Sequence, residues 1–234
     1  AEEGERKHPM KFSCEKAILQ AAVTTAGRVV AAKSSIQELE GVLIEADIDG
    51  LCLSGYNLET GIVTKVSADV AEGGAIVLSA RLFGEMLRRM PDDVVSISTE
   101  GFSVHIQGGP TSYDIMGSSD EDFPDLPSVD DGNGLTITQG DLRAMIGQTT
   151  FAVSDNESRP IHTGALFEAD GQELTMVAVD GYRLALRREK LLSQDGAEKL
   201  SFVVPGAALK EVEKICADSD EPVTVTQGDR HVTF

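Results

Sequence analysis

The chain has 234 residues, a hydrophobic fraction of 41%, no Trp and a formal net charge of −19 at neutral pH. This length fits two cores of roughly 100 to 150 residues each, and we find no apolar run that predicts a membrane span or a secretory signal. Three widely spaced cysteines among apolar residues favour reduced core thiols over disulfides or a metal site, and hence a soluble, cytoplasmic protein.

The first half predicts the order strand, helix and three strands, given twice. Residues 1–9 are charged and patternless, so we expect an appended or disordered tail before a native start at Met10. Apolar periodicity then predicts strands at 11–14, 41–48, 51–56, 62–71, 75–78, 94–98, 103–107 and 112–116, and helices at 18–26 and 80–90.

Residues 117–134 contain six Asp or Glu, two Pro and three Gly, a composition typical of a connector. Beyond it the same order returns, with strands at 135–138, from 164, at 201–204 and from 223, and helices at 141–153 and 206–216. We therefore expect two domains, residues 10–126 and 127–234. Because the second copy stops short of the counterpart of 111–116, we expect it to be incomplete at its C-terminal end.

An internal repeat supports this division. A shift of 123 positions places Gly41 on Gly164 and Asn57 on Asp180, and the segment around Gly41 then matches the segment around Gly164 in order. A shift of 126 aligns Phe83 with Leu209. Agreement in order over several windows predicts two copies of one domain.

The segment 174–187, LTMVAVDGYRLALR, predicts a hairpin in the second copy. Apolar residues alternate on both sides of Asp180 and Gly181, and an Asp-Gly pair supplies the positive φ that a tight turn needs.

The helix patterns separate apolar from basic faces. At about 100° per residue, Leu82, Phe83, Met86, Leu87 and Met90 share one face of the second helix, whereas Arg81 and Arg88 point away from it. A first-helix face is predicted in the same way from Ile18, Leu19, Ala22, Val23 and Ala26. On the last helix Leu209, Val212 and Cys216 point inward, and Lys210 and Lys214 point outward.

The positive charge is concentrated near the first two helices. Residues 15–33 and 81–89 together carry a net charge of +4, while the rest of the chain carries −23. A basic helix layer on an acidic protein indicates a surface that attracts phosphates.

No Gly-rich phosphate loop, nucleophile elbow or metal-spaced His and Cys cluster is present, so the sequence predicts neither an enzyme nor a cofactor. One alternative remains open, an acidic repeat protein with a divalent-metal site and hydrolase activity, built on Asp120, Glu121, Asp122, Asp130 and Asp131.

The opening Met10-Lys-Phe, the connector Asp122-Phe-Pro-Asp-Leu126 and above all Val179-Asp-Gly-Tyr-Arg-Leu184 resemble the bacterial DNA polymerase III β subunit, or sliding clamp, family. The resemblance covers residues 10–234. It implies an α+β DNA clamp fold, in which tandem repeated domains each pack two helices on antiparallel sheets. It also implies a noncatalytic subunit that encircles duplex DNA and tethers the replicative polymerase for processive synthesis.

The resemblance also assigns sites. Lys33, Arg81, Arg88 and Lys214 match channel positions near DNA phosphates, and Lys210 and Arg143 join them on helix geometry. The family's pocket for polymerase III subunits, the clamp loader and repair polymerases maps onto His162, Val179, Gly181, Tyr182, Arg183 and Leu184. At two of these positions the chain departs from the family, which more commonly has Leu where this chain has His162 and Thr where it has Val179. Tyr113 and Ile115 match the subunit-interface strand. The family forms a head-to-tail homodimer of three-domain subunits. A chain without the third domain is therefore expected to be monomeric.

Overall fold

The computed structural model describes residues 9–91, 93–127, 133–195 and 199–234. The chain divides into two compact units, Ala1–Leu126 and Pro127–Phe234. Among the described residues, no helix is long and apolar enough to cross a membrane.

The first unit contains two antiparallel sheets and two α-helices. The elements are β1 (Lys11–Glu15), α1 (Lys16–Ala26), β2 (Gly41–Asp47), β3 (Gly50–Tyr56), β4 (Gly61–Val66), β5 (Asp69–Glu72), β6 (Gly74–Ser79), α2 (Ala80–Arg89), β7 (Val94–Glu100), β8 (Ser103–Gly108) and β9 (Thr111–Met116). The strand orders in the two sheets are β5-β1-β7-β8-β9 and β4-β3-β2-β6.

The second unit repeats this plan. Its elements are β10 (Asn133–Thr138), α3 (Gln139–Thr149), β11 (Gly164–Asp170), β12 (Glu173–Val179), β13 (Leu184–Lys190), β14 (Ser193–Asp195), β15 (Lys199–Pro205), α4 (Gly206–Ile215), β16 (Pro222–Gln227) and β17 (Val232–Thr233). Its strand orders are β14-β10-β16-β17 and β13-β12-β11-β15. Elements β10 to β17 correspond in order to β1 to β8, and α3 and α4 to α1 and α2. The matching topologies confirm the predicted repeat.

Each unit has its own hydrophobic core. In the first unit Phe12, Leu19 and Phe83 are fully buried together with the inward residues of both sheets. In the second, Phe167 is fully buried and its ring stacks on Phe202 with ring centroids 5.4 Å apart. The alternation of buried and exposed residues along β2 and β11 is identical, which follows from a period-2 pattern in both copies.

Two sequence predictions need correction. The single strand expected at 62–71 is two strands, and β4 and β5 belong to different sheets. Ile18 and Leu82, expected on the buried helix faces, are 38% and 40% exposed. At about 100° per residue, both lie at the border of the inward face, whose centre is formed by the residues that follow them, Leu19 and Phe83. Residues 117–126 lie in the first unit, on the expected side of the boundary at residue 126, and Phe123 there is buried although the segment has the composition of a connector.

Candidate nucleic-acid and peptide interfaces

Helix α2 presents a basic face opposite its buried one. Phe83 and Leu87 are fully buried, whereas Arg81 and Arg88 are exposed seven residues apart, two helical turns along the same side. The Nη1 atom of Arg81 lies 3.5 Å from a carboxylate oxygen of Glu85 on the next turn. The predicted orientation of both arginines is confirmed, and the neighbouring Arg89, which sequence analysis did not single out, is exposed as well.

Helix α4 repeats this arrangement in the second unit. Leu209 and Cys216 are buried, and Lys210 and Lys214 are exposed one turn apart. The Lys214 ammonium lies 2.6 Å from the Glu211 carboxylate, so part of its charge is balanced locally. Because Arg88 and Lys214 are related by the 126-residue shift, both copies place an exposed cation in the last turn of the second helix.

The two remaining predicted cations are also exposed. Lys33 lies in the loop that follows α1, and Arg143 lies on α3. Burial raises the pKa of the Cys216 thiol, and the Arg143 guanidinium opposes that shift. Helix α3, which carries Arg143, packs against α4, which carries Lys214.

The predicted hairpin connects β12 to β13 through a four-residue turn, Asp180 to Arg183. The Asp180 carboxylate accepts hydrogen bonds from the backbone N–H groups of Tyr182 at 3.0 Å and Arg183 at 3.1 Å, and its other oxygen lies 2.7 Å from Nε of Arg183. The Tyr182 N–H, followed by the groups of Arg183, holds the pKa of Asp180 below its usual value. Gly181 has a φ of 94°, as a turn of this kind requires.

This turn leaves apolar side chains in solvent. Tyr182 is fully exposed, and Leu184 is 63% exposed beside Val179, its cross-strand partner. His162 is half-buried in a 3-10 turn directly before β11 (its backbone N–H donates to the Arg159 carbonyl oxygen at 2.9 Å). Since β11 begins, β12 ends and β13 begins at one end of the sheet, all six predicted peptide-binding residues lie at that end.

An apolar row that was not predicted from the sequence continues from this end across the sheet. The strand register places Leu186 opposite Val177, Val177 opposite Leu166 and Leu166 opposite Val203. Leu186 is 48% and Val203 37% exposed, on the face opposite the core. The period-2 alternation could have revealed this row, because apolar residues occupy both faces of these strands.

Strand β9 forms an edge of the five-stranded sheet in the first unit, as expected for an interface strand. The side chains of Tyr113 and Ile115, however, are half-buried against the core of their own unit. Ser112, Asp114 and Met116 alternate with them and are exposed. A partner at this edge would therefore contact the backbone and this second set of side chains.

Two models of one protein family match the chain. The model described as DNA polymerase III beta subunit, N-terminal domain, matches residues 10–127, and the one described as DNA polymerase III beta subunit, central domain, matches residues 136–234. The chain belongs to the DNA polymerase III beta subunit family.

Relatives of this beta subunit chain are bacterial. The beta sliding clamp of Bacillus subtilis is 32% identical over 236 residues, which cover 96% of this chain and 62% of the relative. A beta subunit structure from Eubacterium rectale has a TM-score of 0.90 at 32% identity, covering 95% of this chain and 61% of that one. A Pseudomonas aeruginosa clamp bound to griselimycin has a TM-score of 0.90 at 26% identity, covering 96% and 61%. The chain thus spans somewhat less than two thirds of the length of these relatives.

These matches support the clamp interpretation and not the acidic metal-binding alternative. In the ranges that the structure describes, no three His, Cys, Asp or Glu side chains are grouped so that they could hold a metal ion. Around Asp120 the backbone forms a turn instead, in which the Phe123 N–H donates to the Asp120 carbonyl oxygen. Asp130 and Asp131 lie outside the described residues.

Proposed function

We propose that this chain provides the first two domains of a sliding clamp, a noncatalytic subunit that encircles duplex DNA and tethers the replicative polymerase. The observation that carries the proposal is the repetition of one exposed cation, Arg88 in the first copy and Lys214 in the second, on the helix that follows the edge strand β6 or β15. Exposed positive charge is added by Arg81 on α2 and Lys210 on α4, and also by Arg143 on α3 and Lys33 in the loop after α1.

The net charge of −19 is compatible with this role. Affinity for DNA rises with the number of phosphates that Lys and Arg neutralise, and a distributed set of such contacts carries no sequence information. A ring needs such contacts to be weak, because topology retains the DNA and strong contacts would stop sliding. Acidic side chains elsewhere, on the sheets, would repel DNA from the outer surface.

The same proposal assigns partner binding to the sheet end around the Asp180 turn. Exposed apolar side chains of Tyr182 and Leu184, held by a hydrogen-bonded turn, form the kind of surface on which an apolar peptide anchor can dock. The polymerase, the clamp loader and repair polymerases are the proposed sources of such peptides. The griselimycin complex of the Pseudomonas aeruginosa relative is consistent with a ligand-binding surface in the family.

Closure of the ring is assigned to β9. An edge strand offers unpaired backbone groups to a neighbouring subunit, which suits a head-to-tail homodimer of the intact protein.

Charge reversal tests the DNA assignment. Arg88→Glu and Lys214→Glu each change the net charge by two units, and Lys65→Glu on the exposed side of β4 makes the same change away from the helices. We measure binding of fluorescent duplex DNA by anisotropy at several salt concentrations. Each helix variant should weaken binding about 3- to 10-fold and lower the log–log salt slope by about 0.9, while Lys65→Glu should change affinity less than about twofold. Equal losses for all three variants would refute the assignment.

A further inference from the structure

The first unit holds a segment of its own chain in an apolar groove. The first-unit groove consists of Leu39, Leu43, Tyr56 and Val77, on the face of the β4-β3-β2-β6 sheet opposite the core. Residues 117–126, which follow β9, cross this face. Phe123 and Leu126 of that segment pack with the groove residues in one hydrophobic cluster.

The contacts resemble a bound peptide. The backbone of Ser118 exchanges two hydrogen bonds with Val77 on the edge strand β6, at 3.0 and 3.1 Å, which is how an extended ligand adds to a sheet edge. Phe123 is 7% exposed and Val77 is 3% exposed. A Cβ atom added to Gly61 would lie 2.7 Å from Cδ2 of Leu126, so Leu126 fills the space over that glycine.

The second unit has the equivalent surface without such a cover among the described residues. The repeat places His162, Leu166, Val179, Leu184 and Val203 at the positions of Leu39, Leu43, Tyr56, Gly61 and Val77. Val203 is 37% exposed where Val77 is 3% exposed, and Leu184 is 63% exposed. The sheet end assigned above to partner peptides therefore corresponds to the place where the first unit holds Phe123 and Leu126.

We propose that the first-unit groove is a second peptide-docking site, closed in cis by Phe123 and Leu126. Its ligand is an extended segment of another protein with an aromatic residue and a leucine three positions apart and a free backbone for pairing with β6. A tethered segment acts at an effective concentration in the millimolar range, so a partner gains access when the segment is displaced. This site goes beyond the proposed function, because its occupant is visible in the first unit itself.

The test supplies the segment in trans. A fluorescent peptide of residues 117–127 is titrated against the whole chain as wild type, as Leu126→Ala and as Phe123→Ala/Leu126→Ala, with anisotropy as the readout. Both variants should bind the peptide saturably and at least tenfold more tightly than wild type. A peptide with Ala at both anchor positions should not bind.

Two further substitutions locate the binding. Gly61→Val in the Leu126→Ala background should abolish it by filling the groove, and Leu184→Ala in the same background should leave it unchanged. Absence of saturable binding by Leu126→Ala would overturn the proposal, as would binding that is sensitive to Leu184→Ala instead of Gly61→Val. If the circular dichroism spectrum showed that the double variant does not fold, the peptide titration of Leu126→Ala alone would decide between these outcomes. Failure here leaves the DNA proposal standing, since that rests on the helix cations.

Discussion

Leu58 and Gly181 occupy the same position in two copies of one turn, and both have positive φ, 74° and 94° respectively. In the first copy Asn57 Oδ1 accepts hydrogen bonds from the N–H groups of Glu59 at 3.0 Å and Thr60 at 2.7 Å, as Asp180 does in the second. The backbone geometry of the turn is therefore duplicated, although the residue that adopts the left-handed conformation differs.

This difference predicts opposite effects of exchanging the two residues. A non-glycine residue in the left-handed region lowers stability by roughly 1–2 kcal/mol. A glycine lowers stability by roughly 0.4–1 kcal/mol for a different reason, because it raises the conformational entropy of the unfolded chain. Leu58 is 54% exposed, so little burial is lost on its removal. Leu58→Gly should leave stability unchanged or raise it by up to about 1.5 kcal/mol, whereas Gly181→Leu should lower it by up to about 1.5 kcal/mol. Urea unfolding measures both, and a loss above 1 kcal/mol for Leu58→Gly would contradict this account.

The carboxylate of Asp180 should make the second turn sensitive to acid. Its pKa is held below the usual value by the N–H of Tyr182 and then by Arg183. A group with a lowered folded pKa stabilises the protein above its unfolded pKa, and this contribution is lost as the pH falls through the folded value. The difference in unfolding free energy between wild type and Asp180→Asn should therefore be largest near neutral pH and shrink under acid. A difference that grows below the ordinary carboxyl pKa would contradict the prediction.

Gly55 is required by close packing of β3 against the end of α1. A Cβ atom at this position would lie 1.9 Å from the Ala26 carbonyl oxygen, a backbone atom that cannot rotate away. Gly55→Ala should destabilise the chain by about 3 kcal/mol or more through this overlap. Gly101→Ala, at a site where a Cβ meets nothing within 4 Å but φ is 59°, is the matched control and should cost about 1 kcal/mol. Thermal unfolding of both variants checks the ranking, which equal losses would refute.

The exposed side chains of the Asp180 turn should control peptide binding without affecting stability. Tyr182→Ala and Leu184→Ala each remove an apolar anchor from solvent, so we expect the affinity for a short peptide with Gln, Leu and Phe anchors to fall at least tenfold and the melting temperature to stay within about 2 °C. Leu192→Ala, a change of similar size at a residue 58% exposed beyond the other end of β13, should leave the affinity unchanged. Isothermal calorimetry measures all three, and equal affinities would rule out this docking surface.

Much of the fold follows from local pattern, because the periodicities of α2, α4 and the paired strands survive in both copies. The break between β4 and β5 cannot be predicted from local pattern. Val66, Ala68 and Val70 continue one alternation of apolar residues although the chain passes there from one sheet to the other. The acidic neighbours of Phe123 and Leu126 likewise predict an exposed connector. These two side chains are covered only because they pack on a sheet face whose residues are distant in sequence. Long-range contacts of this kind leave no local signal.

The arrangement of the helix cations around DNA is tested most directly by site-specific crosslinking. A photoreactive amino acid is placed in turn at Arg88, Lys214 and the control position Lys65, and each variant is irradiated with duplex DNA at low salt. The clamp account predicts crosslinks from positions 88 and 214 and about tenfold fewer from position 65, because phosphate contacts should be confined to the helices. Equal yields at the three positions, or a higher yield at position 65, would contradict it.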